Sequence, residues 1–263
     1  MIDRFGRKIE YLRVSVTDRC TLRCPYCKPD DSAPRTDPML SFEEIRDVVR
    51  AAAEYGFIKV RLTGGEPLLR PGIVELVGML SRISGIADLA MTTNGQLLEK
   101  FAADLARAGL GRVNVHLDTV NPERYRRDTG GELARTLAGI AAAKSAGLEP
   151  VKLNCVVDFD KDESDAREVA IFALEQGLEA RYIRRMDRRS GEFFPVIGGR
   201  GGDCPLCNRL RLTCDGRVMP CLFSDMVFSV RELGAEQALK SAVANKPESG
   251  GACREHQMFR IGG

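Results

Sequence analysis

Cys20, Cys24 and Cys27 lie within eight residues and carry the spacing CxxxCxxC. Three thiolates at that reach can each hold one iron of a cubane 4Fe–4S cluster, whose usual complement is four. One iron is then left without a protein ligand, and an open coordination position is what separates a catalytic metal centre from a structural one. The spacing therefore predicts a cluster that binds a further group. A zinc site calls for a fourth Cys or His close by, and this stretch has no His. A disulfide framework calls for an even cysteine count in a small secreted chain, whereas nine cysteines occur here in 263 residues.

The bulk composition excludes several classes. A formal charge of +2 is too small to argue for nucleic acid or an anionic membrane as partner. No apolar run approaches the roughly 20 residues that span a bilayer, and residues 1–20 are too charged for a signal peptide. The expected location is the cytoplasm, where reduced thiols are free for metal. With 44% hydrophobic residues the chain can bury a sizeable core.

Positioning the cysteine loop requires a scaffold. Short runs rich in Val, Leu and Ile at 11–17, 57–63, 87–92, 112–118, 149–157 and 179–186 alternate with amphipathic segments near 41–55, 72–83, 96–108, 132–146 and 162–176. Ser41 is placed to cap the first helix, and Gly56, Gly109, Gly147 and Gly177 fall where helices should end. Five successive β-to-α-to-β steps predict a parallel sheet with right-handed crossovers. Its strands alternate where buried parallel strands should be uniformly apolar. Arg13, Ser15 and Thr17 oppose Leu12, Val14 and Val16, Lys59 and Arg61 oppose Val60 and Leu62, and Asn114, His116 and Asp118 oppose Val113, Val115 and Leu117.

The expected fold is therefore an α/β protein, a partial barrel of six parallel strands with a polar lumen. Arg13, Lys59, Arg61, Lys152 and Arg181 line that lumen and suit a polyanion, the more so because the chain has about three arginines for each lysine. A structural lattice of salt bridges is the alternative for some of them. Ligands gather at the carboxyl ends of parallel strands. Here those ends read as the cysteine loop, Thr63-Gly-Gly-Glu-Pro, Thr92-Thr-Asn-Gly and His116-Leu-Asp-Thr.

The cysteine loop followed by Gly-Gly-Glu-Pro resembles the radical S-adenosylmethionine (radical SAM) superfamily. Phe5-Gly-Arg, Tyr11-Leu-Arg-Val-Ser-Val-Thr-Asp-Arg-Cys, Val60-Arg-Leu-Thr-Gly-Gly-Glu-Pro-Leu-Leu-Arg, Cys207-Asn-Arg-Leu-Arg-Leu-Thr and Ile261-Gly-Gly are similar, more closely, to its GTP-cyclising family of molybdenum-cofactor biosynthesis. The resemblance implies that Cys20, Cys24 and Cys27 hold a first 4Fe–4S cluster whose free iron binds the methionine part of S-adenosylmethionine. Gly64, Gly65 and Glu66 would line that methionine, with Thr93 and Asn94 near the cofactor. A one-electron reductant such as a flavodoxin or ferredoxin would drive formation of a 5′-deoxyadenosyl radical, which in the family takes hydrogen from ribose C3′ of GTP. The new radical attacks guanine C8. Arg13, Lys59, Arg61 and Arg181, with Arg209 and Arg211 of the Cys207 motif, match substrate-binding positions, while Arg260 and His116 are catalytic candidates.

Cys204, Cys207 and Cys221 match the family's second 4Fe–4S cluster, giving a barrel over 1–190 and a cysteine-rich auxiliary region over 191–263. A zinc ribbon using Cys214 as well is the other reading of these thiols. Asp215-Gly216 suggests a two-residue hairpin pairing Cys214 with Arg217 and Cys221 with Leu210. Cys214 would then stand roughly 13 Å along the ribbon from Cys221, which favours three ligands with Cys214 or Cys253 as an optional fourth. The chain departs from the family in a short connection between Arg181 and Cys204, in His116 where a serine is usual, and in Arg184 and Arg185. Gly198-Gly-Arg-Gly-Gly reads as a flexible link. A paralogue acting on another anionic substrate, or a non-catalytic iron–sulfur or zinc protein, are the competing functions; Gly-Gly-Glu-Pro argues against the last.

Overall fold

The computed structural model describes residues 1–27, 38–256 and 258–262. The expected strands form as β1 (Tyr11–Ser15), β2 (Lys59–Thr63), β3 (Asp88–Thr93), β4 (Arg112–His116), β5 (Lys152–Val157) and β6 (Glu179–Arg184). They pair in parallel in chain order, from β1 to β6. Crossing between them are α1 (Phe42–Glu54), α2 (Ile73–Ser81), α3 (Leu98–Arg107), α4 (Pro122–Thr129), α5 (Leu133–Ser145) and α6 (Ser164–Gln176). Ser41 caps α1 in a capping box, its hydroxyl accepting from Glu44 N at 3.1 Å while Ser41 N donates to the Glu44 carboxylate at 2.7 Å.

Leu12, Val14, Val60, Leu62, Met91, Val113 and Val115 are fully buried on the helix-facing side of the sheet. The alternate residues face the lumen, as the sequence predicts, and many of these are buried too: Arg13, Arg61 and Arg211 expose 9%, 8% and 5% of their surface. Register places Arg61 beside Arg13, and Arg13 beside Arg211. Like charges on directly neighbouring strand positions repel, which makes this row a place suited to an anionic group.

The cysteine-rich region continues the same sheet. After β6 come β7 (Arg209–Leu212), β8 (Arg217–Met219), β9 (Phe228–Ser229), α7 (Val230–Leu233), α8 (Ala235–Ala244) and α9 (Met258–Ile261). β7 adds to β1 in parallel, and β8 and β9 follow antiparallel. The hairpin differs from expectation by one residue: Arg211 pairs with Met219 and Leu212 with Val218. The cause is Thr213, whose N–H donates to Arg217 O and whose hydroxyl accepts from Arg217 N, both at 2.9 Å, leaving a three-residue loop. Cys214 sits in that loop, and the same register carried on sets Cys221 opposite Arg209.

The glycine-rich run is largely exposed but makes specific backbone contacts. Val196 N donates to Gly201 O at 2.8 Å, and a Cβ on Gly202, at φ +73°, would come within 2.0 Å of Phe194 O. Arg7 binds the chain's start to the auxiliary region. Its guanidinium pairs with buried Asp3 at 2.6 Å and donates to the carbonyls of Cys204, Pro247 and Glu248 at 2.6–2.9 Å. Among the described residues no helix is long and apolar enough to cross a membrane.

Candidate active site

The Gly-Gly-Glu-Pro stretch is welded to the start of the cysteine loop. Gly65 N donates to Thr17 O at 2.8 Å and Glu66 N to Arg19 O at 2.6 Å. A Cβ on Gly64 would lie 2.4 Å from Thr17 O, and one on Gly65 2.2 Å from Arg19 O. These glycines are therefore required first by contact with the loop that leads into Cys20, while the same backbone faces the cavity described below. Glu66 is wholly buried behind that wall. Its carboxylate accepts from Leu68 N at 3.0 Å, Thr93 Oγ1 at 2.8 Å and Asn94 N at 2.8 Å, tying the end of β2 to that of β3. Burial raises its pKa to about 7 against these donors.

A cavity of about 300 Å³ is lined both by Cys20, Cys24 and Cys27 and by Cys204, Cys207 and Cys221. Gly64, Gly65, Thr93, Asn94 and His116 share its wall with Arg13, Arg209 and Arg211. Both trios fit a thiolate-bound cluster, because each offers sulfurs already met by donors. Leu22 N and Asn94 Nδ2 donate to Cys20 Sγ at 3.4 and 3.6 Å, and Phe223 N to Cys221 Sγ at 3.4 Å. Cys214 and Cys253 are buried outside the cavity wall, and burial pushes the Cys214 thiol up to about 12.

Several expected site residues stand away from that wall. Lys59 pairs with Asp88 at 2.8 Å, which Arg112 also binds at 2.7 Å, and Lys152 pairs with Glu179. For Lys59 and Lys152 the salt-bridge lattice is thus the arrangement found. Arg61 and Arg181 are not among the residues of the cavity wall, and among the described residues their Nε atoms, that of Arg209 and the Tyr11 hydroxyl have no hydrogen-bond partner. Burial, then neighbouring cations, lowers the pKa of Arg61, Arg181 and Arg211, and brings Arg13 down to about 10. Arg260 is half-buried on α9; two residues on, Gly262 O accepts from Arg211 Nη1, drawing the chain's end into the lumen. Gly263 lies outside the described residues.

His116 is held in a polar triad that sequence reasoning did not assemble. The Tyr26 hydroxyl donates to Asp118 Oδ2 at 2.6 Å and lies 2.5 Å from His116 Nε2, which is itself 2.9 Å from Asp118 Oδ2. Burial opposes a charge on His116, but Asp118 and Cys24 outweigh it and raise its pKa well above normal. Phe193, Phe194 and Phe223 add an aromatic wall, with Arg184 stacked 3.6 Å from the Phe194 ring centroid. Tyr26 was visible in Cys-Pro-Tyr-Cys and Asp118 two residues beyond His116; Phe193 and Phe194 come from the short connection and Phe223 from just beyond Cys221, where spacing gives no signal.

A partial parallel barrel whose first strand feeds a three-cysteine loop defines a class, and comparison agrees: the family model described as the Radical SAM superfamily matches residues 14–173, and the chain belongs to that superfamily. Such a protein is an enzyme that uses S-adenosylmethionine with an iron–sulfur cluster. Within the superfamily the sequence groups with the GTP 3′,8-cyclases. That of Thermodesulfovibrio yellowstonii is 38% identical over 282 residues, covering 89% of this chain and 88% of its own. That of Heliobacterium modesticaldum is 38% identical over 327 positions, covering the whole of both chains, so it carries segments that these 263 residues lack. Among solved structures, native anSMEcpe with bound AdoMet has the same fold, with TM-score 0.66, 17% identity, and coverage of 95% of this chain and 87% of that one.

Proposed function

We propose that this enzyme cyclises GTP between ribose C3′ and guanine C8 for molybdenum-cofactor biosynthesis, with residues 1–190 carrying the radical chemistry and 191–263 a second 4Fe–4S cluster. The observation that carries the reading is the buried row Arg61, Arg13 and Arg211, of which Arg13 and Arg211 line a cavity that both cysteine trios also line. Cys20, Cys24 and Cys27 would hold a cluster that, with S-adenosylmethionine, would supply a 5′-deoxyadenosyl radical able to take a hydrogen atom from a sugar carbon. A reductant such as a flavodoxin or ferredoxin provides the electron.

The chain's own groups do the rest. Arg13, Arg61, Arg181, Arg209 and Arg211 neutralise and orient the triphosphate, bidentate donors being suited to phosphate oxygens. The base then points to the auxiliary trio, and the sugar lies between the two centres. Gly64, Gly65, Thr93 and Asn94 shape the cofactor side, with Glu66 as the strut behind them. His116, fixed by Tyr26 and Asp118, and Arg260 border the reacting region. Incubation of the anaerobically reduced enzyme with S-adenosylmethionine and GTP should yield 5′-deoxyadenosine together with a cyclised nucleotide. 5′-Deoxyadenosine with no nucleotide product would instead indicate another anionic substrate.

A further inference from the structure

Lys246 exposes only 1% of its surface, a rare state for a lysine, and it lines the cavity just beyond α8. Its ammonium donates to Arg209 O at 2.8 Å and to Pro220 O at 2.6 Å. Cys207 and Cys221, which line the same cavity, are close enough to act on that charge. Those contacts are specific in sequence: Arg209 follows Cys207 by two residues, and Pro220 immediately precedes Cys221. Among the described residues Lys246 forms no ion pair with a carboxylate. A buried ammonium needs a negative partner, and the sulfurs of Cys207 and Cys221 are the groups positioned to provide it.

We propose that Lys246 is a positioning residue for the auxiliary cluster: through the carbonyls of Arg209 and Pro220 it ties the start of β7 to the end of β8 at the spacing the cluster needs, and its buried charge makes that cluster easier to reduce. This rests on the two-cluster reading. Hydrogen bonds and positive charge at cluster sulfurs stabilise the more negative, reduced state, so they move the reduction potential upward. Nothing equivalent follows for Cys214 or Cys253, which the ammonium does not touch.

The test uses reconstituted full-length protein without substrate: iron content per chain, thermal stability, and redox titration followed by electron paramagnetic resonance, on wild type, Lys246→Gln and Lys246→Arg. Wild type should hold about eight irons. Lys246→Gln should either shift one cluster's midpoint to more negative potential, leaving the other unchanged, or lose about four irons while staying folded. Lys246→Arg, which keeps the charge, should restore the wild-type values. Unchanged midpoints with full iron in Lys246→Gln would overturn the inference, as would equal iron loss and equal thermal destabilisation in both variants, the mark of a purely structural lysine. A wild type with only about four irons would overturn the two-cluster reading itself, and is recognised before any variant is compared.

Discussion

Replacing Arg61 by methionine should move stability and substrate affinity in opposite senses. Arg61 exposes 8% of its surface, stands beside Arg13 in register, and feels Arg112 and Arg209. The nearest carboxylate, Asp88, is already bound by Lys59 and Arg112. For like charges roughly 7 Å apart at an effective dielectric of about 20, Coulomb's law gives a cost of about 2 kcal/mol per neighbour. Methionine keeps the apolar stem and removes the charge. Loss of that repulsion and of the desolvation cost should leave the nucleotide-free protein as stable as wild type, or more stable by about 1–4 kcal/mol. Binding should suffer, because a charge-assisted hydrogen bond to phosphate contributes about 1.5–3 kcal/mol. That is roughly a 10- to 150-fold rise in the Kd or KM for GTP. Differential scanning fluorimetry with and without GTP, alongside steady-state kinetics, reads both. A variant that melts earlier without nucleotide and keeps its wild-type KM would show that Arg61 is a structural strut and refute the anion-site reasoning.

Gly65→Ala should loosen the cysteine loop, since its Cβ would stand 2.2 Å from Arg19 O; overpacking of roughly 1–3 kcal/mol predicts roughly 5- to 150-fold faster iron loss to a chelator. Iron release at the wild-type rate would contradict it. Cys214→Ser should leave iron content unchanged, whereas Cys207→Ser should lose about four irons per chain; iron loss on the first change would make Cys214 a ligand. Asp3→Asn should destabilise the protein at neutral pH. Burial alone would raise the Asp3 pKa, but the Arg7 and Phe5 N–H groups and the Arg7 guanidinium hold it below 3.8. Its stabilisation is therefore fully present above the ordinary carboxylate range and is lost as pH falls through the lowered value. Urea titrations should show the gap between the two proteins closing below about pH 4, and a gap independent of pH would refute the pairing.

The barrel was legible because its signals are local. Strand alternation set the polar face, and Ser41 and the helix-ending glycines set the boundaries. Helix α4 escaped because Pro-Glu-Arg-Tyr-Arg-Arg-Asp-Thr has no apolar periodicity; only Tyr125 and Thr129 are buried, and capping by Asn121 and Gly130 defines it instead. The cysteine trios and the glycines were legible as motifs, although what Gly65 touches was not, since Arg19 lies across a gap in sequence that only the fold closes. Lumen depth was equally hidden. Lys59 and Arg13 share a face by alternation, yet Asp88 on the neighbouring strand captures Lys59 and leaves Arg13 on the cavity wall. The Tyr26–His116–Asp118 triad and the Lys246 contacts likewise arise from long-range juxtapositions that spacing cannot encode.

The most direct measurement follows a hydrogen atom. The reduced enzyme is supplied with S-adenosylmethionine and GTP deuterated at ribose C3′, and the 5′-deoxyadenosine and nucleotide products are analysed by mass spectrometry. Deuterium in the 5′-deoxyadenosine, formed together with a nucleotide joined between C3′ and C8, is the predicted result. Unlabelled 5′-deoxyadenosine, released at the same rate whether or not GTP is present, would contradict it.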